Sequence, residues 1–85
     1  NRNIKETKQV QIIEKILVES PYLEDGSLVD FDYDGKGDEI LISATIRSAD
    51  PVTHHQVNRL SSSLEDALER PLTLEVITLP VIRSE

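Results

Sequence analysis

The stretch 28–47 alternates apolar and polar residues in two successive runs, and this constrains the fold more than any other feature of the chain. Val29, Phe31 and Tyr33 alternate with Asp30, Asp32 and Asp34. Past Gly35 and Gly37, Ile40, Ile42, Ala44 and Ile46 alternate with Leu41, Ser43, Thr45 and Arg47. Successive side chains of a strand point to opposite faces, so a period of two gives each run one apolar and one wet face. Two such runs around a glycine-bearing loop predict a β-hairpin. Pairing Asp34 with Glu39 across residues 35–38 sets Tyr33 opposite Ile40, Phe31 opposite Ile42 and Val29 opposite Ala44, all on one side. That register also opposes Asp34 and Glu39, a like-charge contact that destabilises a sheet.

The same residues support a second reading. Asp30, Asp32, Asp34 and Gly35 match the first half of a calcium loop, in which carboxylates wrap the ion and a glycine permits the sharp turn. Asp38 falls at a further ligand position. The match fails at Leu41, where a bidentate Glu is required, and at Gly37, where an aliphatic residue is usual. On a strand, moreover, alternate aspartates stand roughly 6.5–7 Å apart, too far to share one ion. The hairpin is the main expectation, and a Ca²⁺ site at Asp30, Asp32, Asp34 and Asp38 is the alternative; no other cofactor is expected.

Helices are expected on either side of the hairpin. Asn3 with Glu6 suits an N-terminal cap, and Val10, Ile13, Ile16 and Leu17 recur at helical spacing until Pro21 ends the element near Ser20. Residues 22–27 read as a loop. Thr53 with Gln56 forms a capping box flanked by Val52 and Val57, so a second helix starts at His54 and runs with Val57, Leu60, Leu64, Ala67 and Leu68 on one stripe. Arg70 before Pro71 closes it. Leu72, Leu74 and Val76 open a third strand, after which Ile77, Leu79 and Val81 carry the opposite phase and Pro80 marks an end or an edge.

The elements therefore run α-β-β-α-β, an α+β fold. A crossover from the second strand to the third, with the first slotted between them, predicts a three-stranded mixed sheet of order 2-1-3, a split βαβ with both helices on one face. The opposite face carries Asp30, Asp32, Leu41, Ser43, Thr45, Thr73, Glu75 and Ile77. Leu41, Ile77 and Leu79 are the candidate interaction residues, being large apolar side chains off the core phase.

Eighty-five residues make one small domain, residues 1–85, in which a deep enclosed active site would leave little chain to support it. Ile, Leu and Val dominate the 38% apolar content, enough for a packed core. The absence of cysteine excludes disulfides and thiolate chemistry. Nine basic against sixteen acidic residues give a net charge of -7, which repels nucleic acid and anionic lipid. Most of that excess lies between Pro21 and Glu39, where Glu24, Asp25, Asp30, Asp32, Asp34, Asp38 and Glu39 face only Lys36. No apolar run reaches the length of a membrane span.

No catalytic template is met. His54 and His55 are adjacent, not at the i, i+4 spacing that lets two imidazoles share a metal. Ser61, Ser62 and Ser63 lie mid-helix with no strand-turn-helix elbow around them. Asp50, His54 and a serine have the residue types of a triad in no known order. Gly35 and Gly37 lead into a strand and not into a phosphate-binding helix. The expectation is a non-enzymatic interaction or regulatory domain that self-associates or contacts a protein partner, without nucleic acid.

The run from Glu39 to Arg47, the Pro51-Val52-Thr53 helix entry, Leu60 and Leu64, and the exit Arg70-Pro71-Leu72-Thr73-Leu74-Glu75-Val76-Ile77 together resemble the soluble C-terminal segment of an uncharacterised family of bacterial multi-pass hydrophobic membrane proteins. The resemblance covers about half of the chain. It implies a fragment of a longer protein, in keeping with Asn1 at the start, that is cytoplasmic and tethered to the inner membrane through segments outside this sequence. It carries no known activity and no catalytic residues. The chain differs from that pattern in its acidic hairpin and in having no membrane segment of its own.

Overall fold

The structure, a computed structural model, describes residues 4–23, 26–82 and 84. The expected cap at Asn3 and the loop residues Glu24 and Asp25 lie outside them. The elements are α1 (Ile4–Glu19), a single 3-10 turn (Pro21–Leu23), β1 (Gly26–Asp34), β2 (Ile40–Ser48), α2 (His54–Leu68) and β3 (Leu72–Pro80). The fold is α+β, with a three-stranded mixed sheet and two helices, as the periodicities predict.

Strand order is where the expectation fails. The sheet runs β1-β2-β3 and not 2-1-3, with β1 antiparallel and β3 parallel to a central β2. The β2–α2–β3 crossover thus joins neighbouring strands. Burial supplies the reason: the middle position hydrogen-bonds on both edges and lies deepest, and β2 is the strand suited to it. Ile40, Ile42, Ala44 and Ile46 are all at most 2% exposed. Burying each isoleucine contributes roughly 1.5–3 kcal/mol. β1 carries an aspartate at every second position towards its tip, and its apolar side chains are only half-buried. Charge on an edge strand discourages pairing with other chains, whereas in the middle it would be boxed in on both sides. Pro80, which cannot donate to a ladder, ends the other edge strand.

The hairpin register also differs from the expected one. Tyr33 pairs with Ile42, Phe31 with Ala44 and Asp34 with Leu41, and the ladder slips at Val29 so that Leu28 pairs with Ile46. The bulge changes the phase of β1. Leu28, Phe31 and Tyr33 pack on the core, and Val29 is displaced to the surface. Because the connection spans residues 35–39, Asp34 faces Leu41 and not Glu39, which removes the like-charge opposition.

Both helices cover the same sheet face. Ile13 and Leu17 of α1, Leu60, Leu64 and Leu68 of α2, and the inward residues of β2 form one cluster completed by Leu23 and Leu72. Ala67, expected on the α2 stripe, is exposed. The capping box forms as predicted: Gln56 N donates to Thr53 Oγ1 at 3.2 Å, and Thr53 N donates to Gln56 Oε1 at 2.7 Å. At the other end Glu69 takes a left-handed conformation (φ 56°, ψ 38°), with its N–H bonded to Glu65 O at 2.7 Å. No helix among the described residues is long and apolar enough to cross a membrane.

Candidate functional site

With the helices on one side, the other face of the sheet is left without a covering layer among the described residues. Register places its residues in rows: Asp34, Leu41 and Thr73; Asp32, Ser43 and Glu75; Asp30, Thr45 and Ile77; Ser27, Arg47 and Leu79. Acidic side chains line the β1 side, and apolar ones the later half of β3. Leu41 is 50% exposed, Ile77 46% and Leu79 37%. β3 pairs with β2 without a slip from Leu72 to Pro80, so Ile77 and Leu79 fall on the open face through regular alternation, with no bulge of their own. The three expected interaction residues therefore share one face.

A shallow depression of about 340 Å³ lies on this face, bordered by Asp32, Asp34, Leu41, Ser43, Thr73 and Glu75. Hydroxyls on the face hold two of the nearby carboxylates. Thr73 Oγ1 donates to Glu39 Oε2 at 2.6 Å, and Ser43 Oγ donates to Glu75 Oε1 at 3.2 Å. A neutral hydroxyl orients a carboxylate without cancelling its charge.

The hairpin tip is held from outside the hairpin. Arg70, just past α2, donates from Nη2 to Gly37 O at 2.6 Å and from Nη1 to Gly35 O at 3.2 Å. Ile40 N donates to Pro71 O at 3.0 Å beside this clamp, and within the tip Lys36 N donates to Asp34 Oδ1 at 3.1 Å. Tyr33 lies over Gly35, where even one added carbon would collide with its ring, and its hydroxyl bonds to Gln9 of α1. The clamp follows from the parallel pairing of Ile40 with Leu72, which brings the α2 exit to the tip. In the sequence Arg70 reads as a helix terminator only. The spacing that would have shown its role appears once β3 is placed beside β2.

The candidate metal residues do not converge. Asp30, Asp32 and Asp34 occupy successive rows of the face, and Asp38 sits in the exposed tip connection. Among the described residues no group of three or more histidine, aspartate or glutamate side chains is arranged to hold a metal ion. His54 and His55 are exposed at the start of α2, and Ser63 Oγ donates back to Arg59 O at 3.2 Å within the helix. Among the described residues every buried side-chain nitrogen or oxygen has a hydrogen-bond partner.

No protein-family model matches the chain, and no curated protein matches it. Solved structures do share its fold. The MamB CTD magnetosome protein of Desulfamplus magnetovallimortis BW-1 superimposes with a TM-score of 0.58 over 92% of this chain and 99% of its own, at 12% identity. A MamM CTD variant gives 0.53 over 87% and 99%, at 14% identity. A second MamM CTD variant, in a cadmium form, gives 0.52 over 86% and 98%, at 13% identity. The α-β-β-α-β fold of this chain is thus similar to that of these CTDs along nearly their whole length.

Proposed function

We propose that this chain is a non-enzymatic interaction or regulatory domain, the soluble appendage of a membrane protein, which meets a protein partner through its open sheet face. The observation that carries the reading is the exposure of Leu41, Ile77 and Leu79 on the one sheet face without helices, in a domain whose other face buries its apolar residues in a single core. The fold shared with the MamB and MamM CTDs supports the appendage part, and it fits a cytoplasmic domain.

Photo-crosslinking tests this reading. A benzophenone side chain at position 77 is expected to capture a protein, either a second copy or another chain, in a reaction that Leu79→Glu abolishes; the same group at position 14 of α1 captures little. Equal yields from the two faces would refute it.

A weak divalent-cation site on the β1 side is the second reading, favoured by the carboxylates around the depression and by the cadmium and nickel forms of MamM CTD variants. With no three carboxylates converging among the described residues, such a site would rest on one or two of them and on water. Thermal unfolding with Ca²⁺, Ni²⁺ or Cd²⁺, each reversed by chelator, checks it. A midpoint unchanged at millimolar cation removes the reading.

A further inference from the structure

The partner chemistry of the open face can be taken further, on the basis of the proposed reading of that face as a protein-contact surface. We propose that it binds a basic amphipathic protein segment in extended conformation, lying along β1, with cationic side chains on Asp30, Asp32 and Asp34 and an apolar side chain in the depression beside Leu41.

Spacing is the first argument. Aspartates on successive rows of a strand stand roughly 6.5–7 Å apart, too far to close around one ion but equal to the step between alternate side chains of an extended peptide. A ligand strand parallel or antiparallel to β1 brings one cation over each carboxylate without stretching either chain. Shape is the second. The depression holds about 340 Å³ between the β1 acids and Glu75, with Leu41 in its lining, which is the low end of the cleft sizes that enclose a small ligand and is ample for one large side chain. The hydrogen bond from Ser43 to Glu75 fixes that carboxylate at the rim before anything binds.

Charge selects among occupants. The chain carries a net charge of -7, so a second copy brings a like-charged surface, and nucleic acid or anionic lipid is repelled outright. A basic segment is drawn in by the same field, and when it lies edge-on to the sheet its basic side turns to the acids of β1 and its apolar side toward Leu41.

The test uses the 85-residue chain and a fluorescein-labelled nine-residue peptide of alternating lysine and leucine, matched to the nine residues of β1. A glutamate–leucine peptide of equal length is the control. Fluorescence anisotropy is expected to show binding of the basic peptide alone, weakening as salt screens the attraction. Amide shifts in NMR should centre on β1 and β2. The double variant Asp32→Asn/Asp34→Asn should lose about tenfold in affinity, the effect of removing two exposed ion pairs, while the charge-matched Glu14→Gln/Asp66→Asn on the helices changes it less than about twofold. Leu41→Ser should weaken binding with no change in salt dependence.

Equal losses from the two double variants, or shifts centred on the helices, would overturn the proposal by reducing the effect to bulk charge. Binding of the acidic peptide at the face, or a dimer through the face that Ile77→Lys disrupts while the basic peptide fails to bind, would overturn the basic partner and leave the contact surface standing. If neither a peptide nor a second copy perturbs the face, and the position-77 crosslinks are also missing, both readings fall together.

Discussion

β1 and β3 are the two edges of one sheet, each nine residues long, and they are built on opposite plans. β1 pairs antiparallel, slips at Val29 and sets aspartates on the open face; β3 pairs parallel without a slip, buries Leu72 and shows Ile77 and Leu79 to solvent. Both edges leave backbone groups unpaired by a fourth strand, yet they guard against sheet extension differently. β1 relies on charge and a bulge, and β3 on a terminal proline. The contrast shows that one small sheet can keep a charged edge and an apolar edge at once, because β2 between them supplies the buried residues that hold both in place.

The largest expected effect separates the edges by burial. Leu72→Ala removes a side chain that is 6% exposed and should cost about 3 kcal/mol in urea unfolding, whereas Val29→Ala at the bulge, 45% exposed, should cost less than about 0.5 kcal/mol. Similar costs for the two would break the comparison. Next comes the clamp that ties the β1 tip to the β3 entry. Arg70→Ala gives up two bonds to backbone carbonyls and should cost about 1 kcal/mol, with faster hydrogen exchange at the tip amides, and Arg70→Lys should restore only part of this because an ammonium lacks the fork that reaches both carbonyls.

A change at the α2 exit sharpens the contrast in the stabilising direction. Glu69 holds a left-handed conformation that glycine adopts without steric cost, so Glu69→Gly should add about 0.5–1 kcal/mol and raise the thermal midpoint by a few degrees. The smallest effect on stability is expected from Ile77→Lys. The variant should stay within about 0.5 kcal/mol of the parent in the same urea titration, while the labelled basic peptide binds its open face more weakly.

Much of the open face could be read from the chain. Regular alternation in residues 40–47 and 72–79 is enough to put Leu41, Ser43, Glu75 and Ile77 on one side, since a strand has only two sides to offer. What could not be read is how those sides meet. The bulge at Val29 moves Leu28 into the core in its place, and the apolar pattern tolerates either, because both residues are aliphatic and adjacent. The Arg70 clamp joins residues more than thirty positions apart, so no local spacing announces it.

By itself the sequence determined the order of the elements and several of their ends: the Thr53–Gln56 capping box, the stop at Pro21, and three strands, with the apolar faces of β2 and β3. These depend on interactions within a few residues, where propensity and periodicity act directly. The tertiary structure alone decided that β2 is central, that the hairpin register keeps Asp34 away from Glu39, and that the acids of β1 and the apolar residues of β3 flank one uncovered face. Those outcomes turn on competition for burial and on charge between distant strands, where a partner's identity is set by the whole core and not by its neighbours in the chain.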